Sequence, residues 1–152
     1  MKCPFTEPLM RKVDCIRLYV PDIEAGLAYY RDRLGHELIW NTEDQAGLRM
    51  PETDAELVLH RERQAPEIDM LVDSADAAAG RVAASGGRIV VPPFDIQIGR
   101  CVVVQDPWGN QLVLLDASKG LLVTGGDGNV IGIEPPRAGR GLAGSGGAGA
   151  ME

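Results

Sequence analysis

The most constraining feature of this chain is that its pattern of strands and helix occurs twice. Val13 to Val20 alternates, with Ile16, Leu18 and Val20 on one face and Cys15, Arg17 and Tyr19 on the other. Pro21-Asp22 follows, with Asp22 placed as an N-cap. Ile23, Leu27, Tyr30 and Leu34 recur at helical steps as one apolar stripe, and Gly35 sits where a helix ends. Strands are expected over His36 to Asn41, Gly47 to Met50 and Glu56 to Arg61. The second unit repeats this order: a strand at Ile68 to Val72, a helix capped at Asp73-Ser74 and running from Ala75 to about Ser85, and strands at Arg88 to Val91, Arg100 to Gln105 and Gln111 to Leu115. An offset of 52 residues lays Val72 on Val20 and Gly87 on Gly35. Past the middle loops the offset becomes 55, laying Leu112-Val113-Leu114 on Leu57-Val58-Leu59. Two β-α-β-β-β units of matching length restrict the chain to folds that can hold a duplicated half.

The bulk numbers exclude several classes of partner. A chain of 152 residues with 45% hydrophobic and 24% charged residues fits one domain, or two small modules sharing a core. A net charge of -7 and the absence of a clustered basic face argue against nucleic acid. No apolar run approaches the roughly 18–20 residues that cross a bilayer, and the N-terminus lacks a signal-peptide core, so a membrane partner is not expected and the cytoplasm is. Cys3, Cys15 and Cys101 are odd in number and have no paired spacing, which points to reduced thiols.

Residues 1–12, with two prolines in the first ten positions, read as a lead-in, followed by modules over about 13–62 and 66–118. From Lys119 onward glycine fills 11 of 34 positions. Leu121 to Val123 and Val130 to Ile133 flank a Gly-rich turn and are expected to form one more hairpin. The remainder of 119–152 reads as a flexible tail.

Asp106-Pro107-Trp108-Gly109-Asn110 is a turn in which Pro presets φ and Gly and Asn accept positive φ. The segment VDCIRLYVPDIEAGLAYYRDRLGHEL, followed about 70 residues later by QDPWGNQLVLLD, resembles the vicinal oxygen chelate superfamily. This group includes glyoxalase I, bleomycin-resistance proteins, fosfomycin-resistance enzymes and extradiol dioxygenases. The resemblance spans Val13 to Ala117 and rests on Tyr30-Arg31-Asp32-Arg33-Leu34-Gly35 and the Asp-Pro-x-Gly-Asn turn. It implies an α+β fold: two tandem βαβββ modules whose mixed sheet curls into a cup, with helices outside. Homodimers are common in the family and are expected here.

Metal-dependent members of the family hold a divalent ion by His or Glu in each opening strand and Glu in each closing strand. The corresponding positions here are Cys15, Val58, Glu67 and Val113. Two valines cannot ligate, and a lone Cys with a Glu suits a divalent ion poorly. A shifted site would use His60 and Glu67, with or without Asp69. The stronger expectation is therefore no metal and no cofactor, with a pocket lined by Arg17, Tyr19, His60, Glu67 and Asp69 over Val58, Val113 and Leu115. Arg17 in such a cavity needs Glu67 or Asp69 as partner. Trp40 and Trp108 are candidates to stack on a flat ligand, and Cys15 is expected to be an inert buried thiol. The leading expectation is a small-molecule-binding protein that sequesters or senses an organic ligand. The alternative is a lyase or isomerase resembling glyoxalase I, with His60 and Glu67 as acid and base.

Overall fold

In the computed structural model, residues 7–135 are described. Residues 1–6 of the expected lead-in and 136–152 of the expected tail lie outside the described residues.

The first module contains β1 (Lys12–Tyr19), α1 (Ile23–Leu27), β2 (Leu38–Asn41), β3 (Gln45–Arg49) and β4 (Glu56–His60). The second contains β5 (Glu67–Leu71), α2 (Ala75–Ala84), β6 (Arg88–Ile96), β7 (Gly99–Gln105) and β8 (Gln111–Leu115), and a hairpin of β9 (Leu121–Thr124) and β10 (Val130–Glu134) follows. One eight-stranded sheet joins the modules in the order β2-β3-β4-β1-β5-β8-β7-β6. It is mixed: β1 runs parallel to β4 and β5 parallel to β8, while β1 and β5 meet antiparallel at the seam. Such an α+β arrangement lets each half bury one sheet face beneath its own helix.

The helices pack on the convex side. Val20, Ile23, Leu27, Ala46, Leu48 and Leu59 form one core there, and Val72, Ala75, Ala78, Ala79, Val102, Val104 and Leu114 the other. Asp22 caps α1 by accepting from the Ala25 N–H at 3.0 Å, and Ser74 caps α2 through Ala77 N–H at 3.1 Å. The expected apolar stripe of α1 is interrupted. Ala28–Arg33 widens into a π-helix, with Leu34 N–H bonded to Tyr29 O. The wider turn rotates Leu34 off the stripe, leaving it 51% exposed. Several strand boundaries also depart from expectation, with β3 starting two residues earlier, at Gln45. β2 starts two residues later, at Leu38; β4 ends before Arg61; and β6 continues from Val91 to Ile96. β6 tolerates Pro92-Pro93 because it is an edge strand with register shifts on either side of Val91.

The β9–β10 hairpin forms its own two-stranded sheet and lies on the concave side. Leu121, Leu122 and Ile133 pack against a core of Leu71, Ile98, Cys101, Val103, Val113 and Leu115. Leu122 also reaches, with Val130, the cluster of Cys15, Trp40 and Val58. Asn41 N–H donates to Gly128 O at 2.8 Å, tying the turn of the hairpin to β2. Among the described residues, no helix is long and apolar enough to cross a membrane.

Candidate functional site

The seam register states the duplication in three dimensions. Ile16 faces Ile68, Cys15 faces Asp69 and Arg17 faces Glu67. Arg17 is also paired with Val58 in β4, and Asp69 with Val113 in β8. The offsets of 52 and 55 residues are therefore the structural equivalences of the two modules. Cys15, Val58, Glu67 and Val113 stand in corresponding places of the two halves.

These four residues do not fit a divalent cation. Val58 and Val113 are buried and have no donor atom. The Cys15 thiol is fully buried, and burial first, then the neighbouring acidic side chains of Asp69 and Asp14, push its pKa well above the usual thiol value. It therefore stays a poor ligand, because metals bind the thiolate. Among the described residues, no three of His, Cys, Asp and Glu converge as a metal-holding group, and this includes His60, Glu67 and Asp69.

A polar cavity of about 600 Å³ opens at one end of the first module, where Arg17, Gln45 and His60 form the inner wall and Val130 of the hairpin closes one side. Gln45 faces His60 across the β3–β4 ladder. Arg17 Nη1 donates to Gln45 Oε1 at 3.0 Å, and Arg17 Nε lies 3.5 Å from Glu67 Oε2. The Glu62 N–H donates to His60 Nδ1 at 3.1 Å, which puts the proton of a neutral ring on Nε2. His60 is 1% exposed, and its Nε2 has no hydrogen-bond partner. Burial, and then the Arg17 guanidinium, lower its pKa, so the ring is held neutral. A buried N–H of this kind is an unmet donor on a cavity wall.

Beneath this wall lies a chain of acids. Cys15 Sγ donates to Asp69 Oδ2 at 3.5 Å. Burial pushes the Asp69 pKa up to about 9, and its hydrogen bond with Glu67 and the charge of Glu67 push the same way. Asp69 is thus a carboxylic acid at neutral pH while Glu67 pairs with Arg17. On the other side of Cys15, burial and then the charge of Glu56 raise Asp14 to about 7. Glu56 accepts from Trp40 Nε1 at 2.6 Å.

The expected pocket residues therefore separate. Arg17 and His60 line the open cavity. Glu67 and Val113 border a second cavity of about 380 Å³ at the start of β5 and β8. Cys15, Val58 and Asp69 are buried below the surface. Tyr19 is half-buried, and its ring and hydroxyl are taken up by Arg63, whose guanidinium sits 5.1 Å from the ring centre. The two expected stacking residues need correction. Trp40 has no exposed surface, because its indole lies over Gly47 and under the hairpin. Trp108 is 84% exposed at the tip of its turn, where Asp106 Oδ1 accepts from the Trp108 and Asn110 N–H groups. Trp108 borders none of the cavities described above. Sequence reasoning missed Gln45, Leu122 and Val130. Gln45 was one strand-period before the assigned Gly47, so extending β3 backwards by two residues would have found it.

Comparison with known proteins follows the same outline. None of the curated proteins compared matches the chain. Among solved structures, methylmalonyl-CoA epimerase from Mycobacterium tuberculosis is similar with a TM-score of 0.62 and 19% identity, over 74% of this chain and 91% of that one. A Mn(II)-bound glyoxalase from Novosphingobium aromaticivorans gives 0.53 and 18% identity, over 86% of this chain and 43% of that one. Homoprotocatechuate 2,3-dioxygenase from Brevibacterium fuscum gives 0.53 and 22%, over 72% and 37%. At these identities the likeness is one of fold. The family model matching residues 12–114 covers the seam and both modules through β8, and by that match the chain belongs to the Glyoxalase/Bleomycin resistance protein/Dioxygenase superfamily.

Proposed function

We propose that this protein binds a small organic molecule without a metal, holding an oxygen of the ligand between Arg17 and His60. The observation that carries this reading is the buried, partnerless Nε2 of His60 on the wall of the cavity it shares with Arg17. An unmet buried donor costs about 1–3 kcal/mol, which an acceptor oxygen of a ligand recovers. The donor set at Cys15, Val58, Glu67 and Val113 supports the metal-free part. The test is chelator-free purification with metal analysis, followed by a titration that watches the His60 imidazole by NMR. A stoichiometric transition metal would sink the proposal. Small organic acids and carbonyl compounds are expected to move the Nε2 resonance saturably.

A second reading is proton transfer on a bound carbonyl compound, as in a lyase or isomerase. Its support is that the neutral His60 ring, with Nδ1 taken by the Glu62 N–H, keeps an Nε2–H donor beside Arg17 that would polarise a carbonyl oxygen. Glu67 is less suited to the role of base, because it is engaged by Arg17 Nε at 3.5 Å. Deuterium uptake from solvent into a carbonyl compound, abolished in His60→Gln, separates this reading from binding alone.

A further inference from the structure

Val130 occupies an unusual position. It closes one side of the polar cavity that Arg17 and His60 line, and it also packs on the apolar floor of Cys15, Trp40 and Val58. It is a partition, with polar donors on one side and apolar surface on the other. Leu122 completes the cover, touching both this floor and the second module's core. The element that carries them is lightly attached. Among the described residues its two strands pair with each other, its backbone tie to the main sheet is the contact of Asn41 with Gly128 and Asn129, and the rest of its attachment is the packing of Leu121, Leu122, Val130 and Ile133, all half-buried. Ile131 on its outer side is 69% exposed. An element with few buried contacts opens at lower free energy than the core beneath it. The floor it covers is Cys15, Trp40 and Val58, with the polar atoms of Cys15 and Trp40 already bonded to Asp69 and Glu56, whereas the wall beside it presents N–H donors.

The geometry points to the β9–β10 hairpin as a self-supplied occupant of the cup, displaced by an amphiphilic organic acid whose carboxylate meets Arg17 and His60 and whose apolar body takes the place of Val130 and Leu122. This rests on the reading of Arg17 and His60 as the binding wall, and it adds the ligand's class and the movement that admits it. Opening the hairpin joins the polar cavity to the floor of Cys15, Trp40 and Val58. Trp40 then becomes a ligand contact. The apolar body replaces side-chain burial that the protein already has, so affinity depends on the difference between ligand and hairpin rather than on the full area covered.

The test uses the full chain, with labelling of Cys15 by a thiol reagent mapped by peptide mass, and amide exchange of β9–β10 and β7. In the ligand-free protein, Cys15 is expected to be labelled faster than the β7 amides exchange, and about tenfold faster again in Leu122→Ala. Labelling of Cys15 only at the rate of β7 exchange, in both forms, would overturn the hinged hairpin. Decanoate is the amphiphilic probe and acetate its head-group control. Decanoate is expected to speed exchange in the hairpin several-fold while slowing Cys15 labelling, and acetate to move only the His60 resonance. If decanoate moves that resonance but leaves the hairpin and Cys15 unchanged, the displacement is wrong although the binding wall stands. If neither acid moves His60, the binding wall itself fails and the ligand class falls with it, while Cys15 labelling still judges the hairpin.

Discussion

Arg17 and Glu67 stand opposite each other where the two modules meet, Nε 3.5 Å from Oε2, with side chains only 4% and 19% exposed. The pair belongs to the seam as much as to the cavity. Removing one partner leaves the other charge in a poorly solvated place, which typically costs about 3–5 kcal/mol. Glu67→Ala is therefore expected to lower stability by about 3 kcal/mol. The double variant Arg17→Met/Glu67→Leu is expected to lose less than Glu67→Ala alone. Urea denaturation of the three proteins measures both, and a double variant no better than the single would refute the pairing.

Gly47 exists to make room for an indole. A side chain there would run into Trp40 Nε1, the atom that donates to Glu56. Gly47→Ala is expected to cost about 2–4 kcal/mol, through overpacking and loss of that bond. Trp40→Phe, which removes the donor and keeps most of the ring, is expected to cost about 1.5–3 kcal/mol because the acceptor is a carboxylate. Thermal unfolding followed by far-ultraviolet circular dichroism measures both.

The raised pKa of Asp69 implies a stability that declines as pH rises. The folded protein keeps the proton up to about 9, whereas the unfolded chain releases it near 3.8. Its stabilisation is complete below the unfolded value and is lost as pH climbs through the folded one. Asp14, raised to about 7, slopes the same way at lower pH. His60 acts oppositely: with a lowered pKa it destabilises the fold as pH falls below its ordinary 6.5. Between pH 7 and 9 the Asp69 slope should thus be least opposed. Urea midpoints are expected to fall across that range, and Asp69→Asn is expected to flatten the decline. An unchanged slope in the variant would exclude Asp69 as its source.

The donor set also makes a prediction about metals. Dialysis against Zn, Mn or Ni followed by removal of free ion is expected to leave well under one ion per chain, and chelator is expected not to move the unfolding midpoint. Elemental analysis with thermal unfolding checks both.

Much of this architecture was legible in the residues, for a physical reason. A strand's two-residue period ties every side chain to a face, so locating β1, β4, β5 and β8 was enough to put Arg17, Val58, Asp69 and Val113 on one side of the sheet. That Arg17 would take an acidic partner, Glu67 or Asp69, followed from the cost of burying a guanidinium; which of the two did not. What escaped was set by contacts distant in the chain. The burial of Trp40 depends on a glycine in β3 and a hairpin some eighty residues later. The widened turn at Ala28–Arg33, which turns Leu34 outward, leaves no mark in a 3.6-residue pattern. Leu121 to Val123 and Val130 to Ile133 signalled a hairpin but not where it would lie, because half-buried apolar strands carry no address.

The seam has one consequence for how the halves recognise each other. Because Ile16 faces Ile68 on the local two-fold, two copies of the first half joined along the same edge would set Arg17 against Cys15, with no carboxylate in reach across the ladder. Two copies of the second would set Glu67 against Asp69, acid against acid. Only unlike halves give the guanidinium its acid and the thiol its acceptor. The two modules share an outline yet are not interchangeable, and four side chains on two adjoining strands distinguish the unlike pairing from either like one.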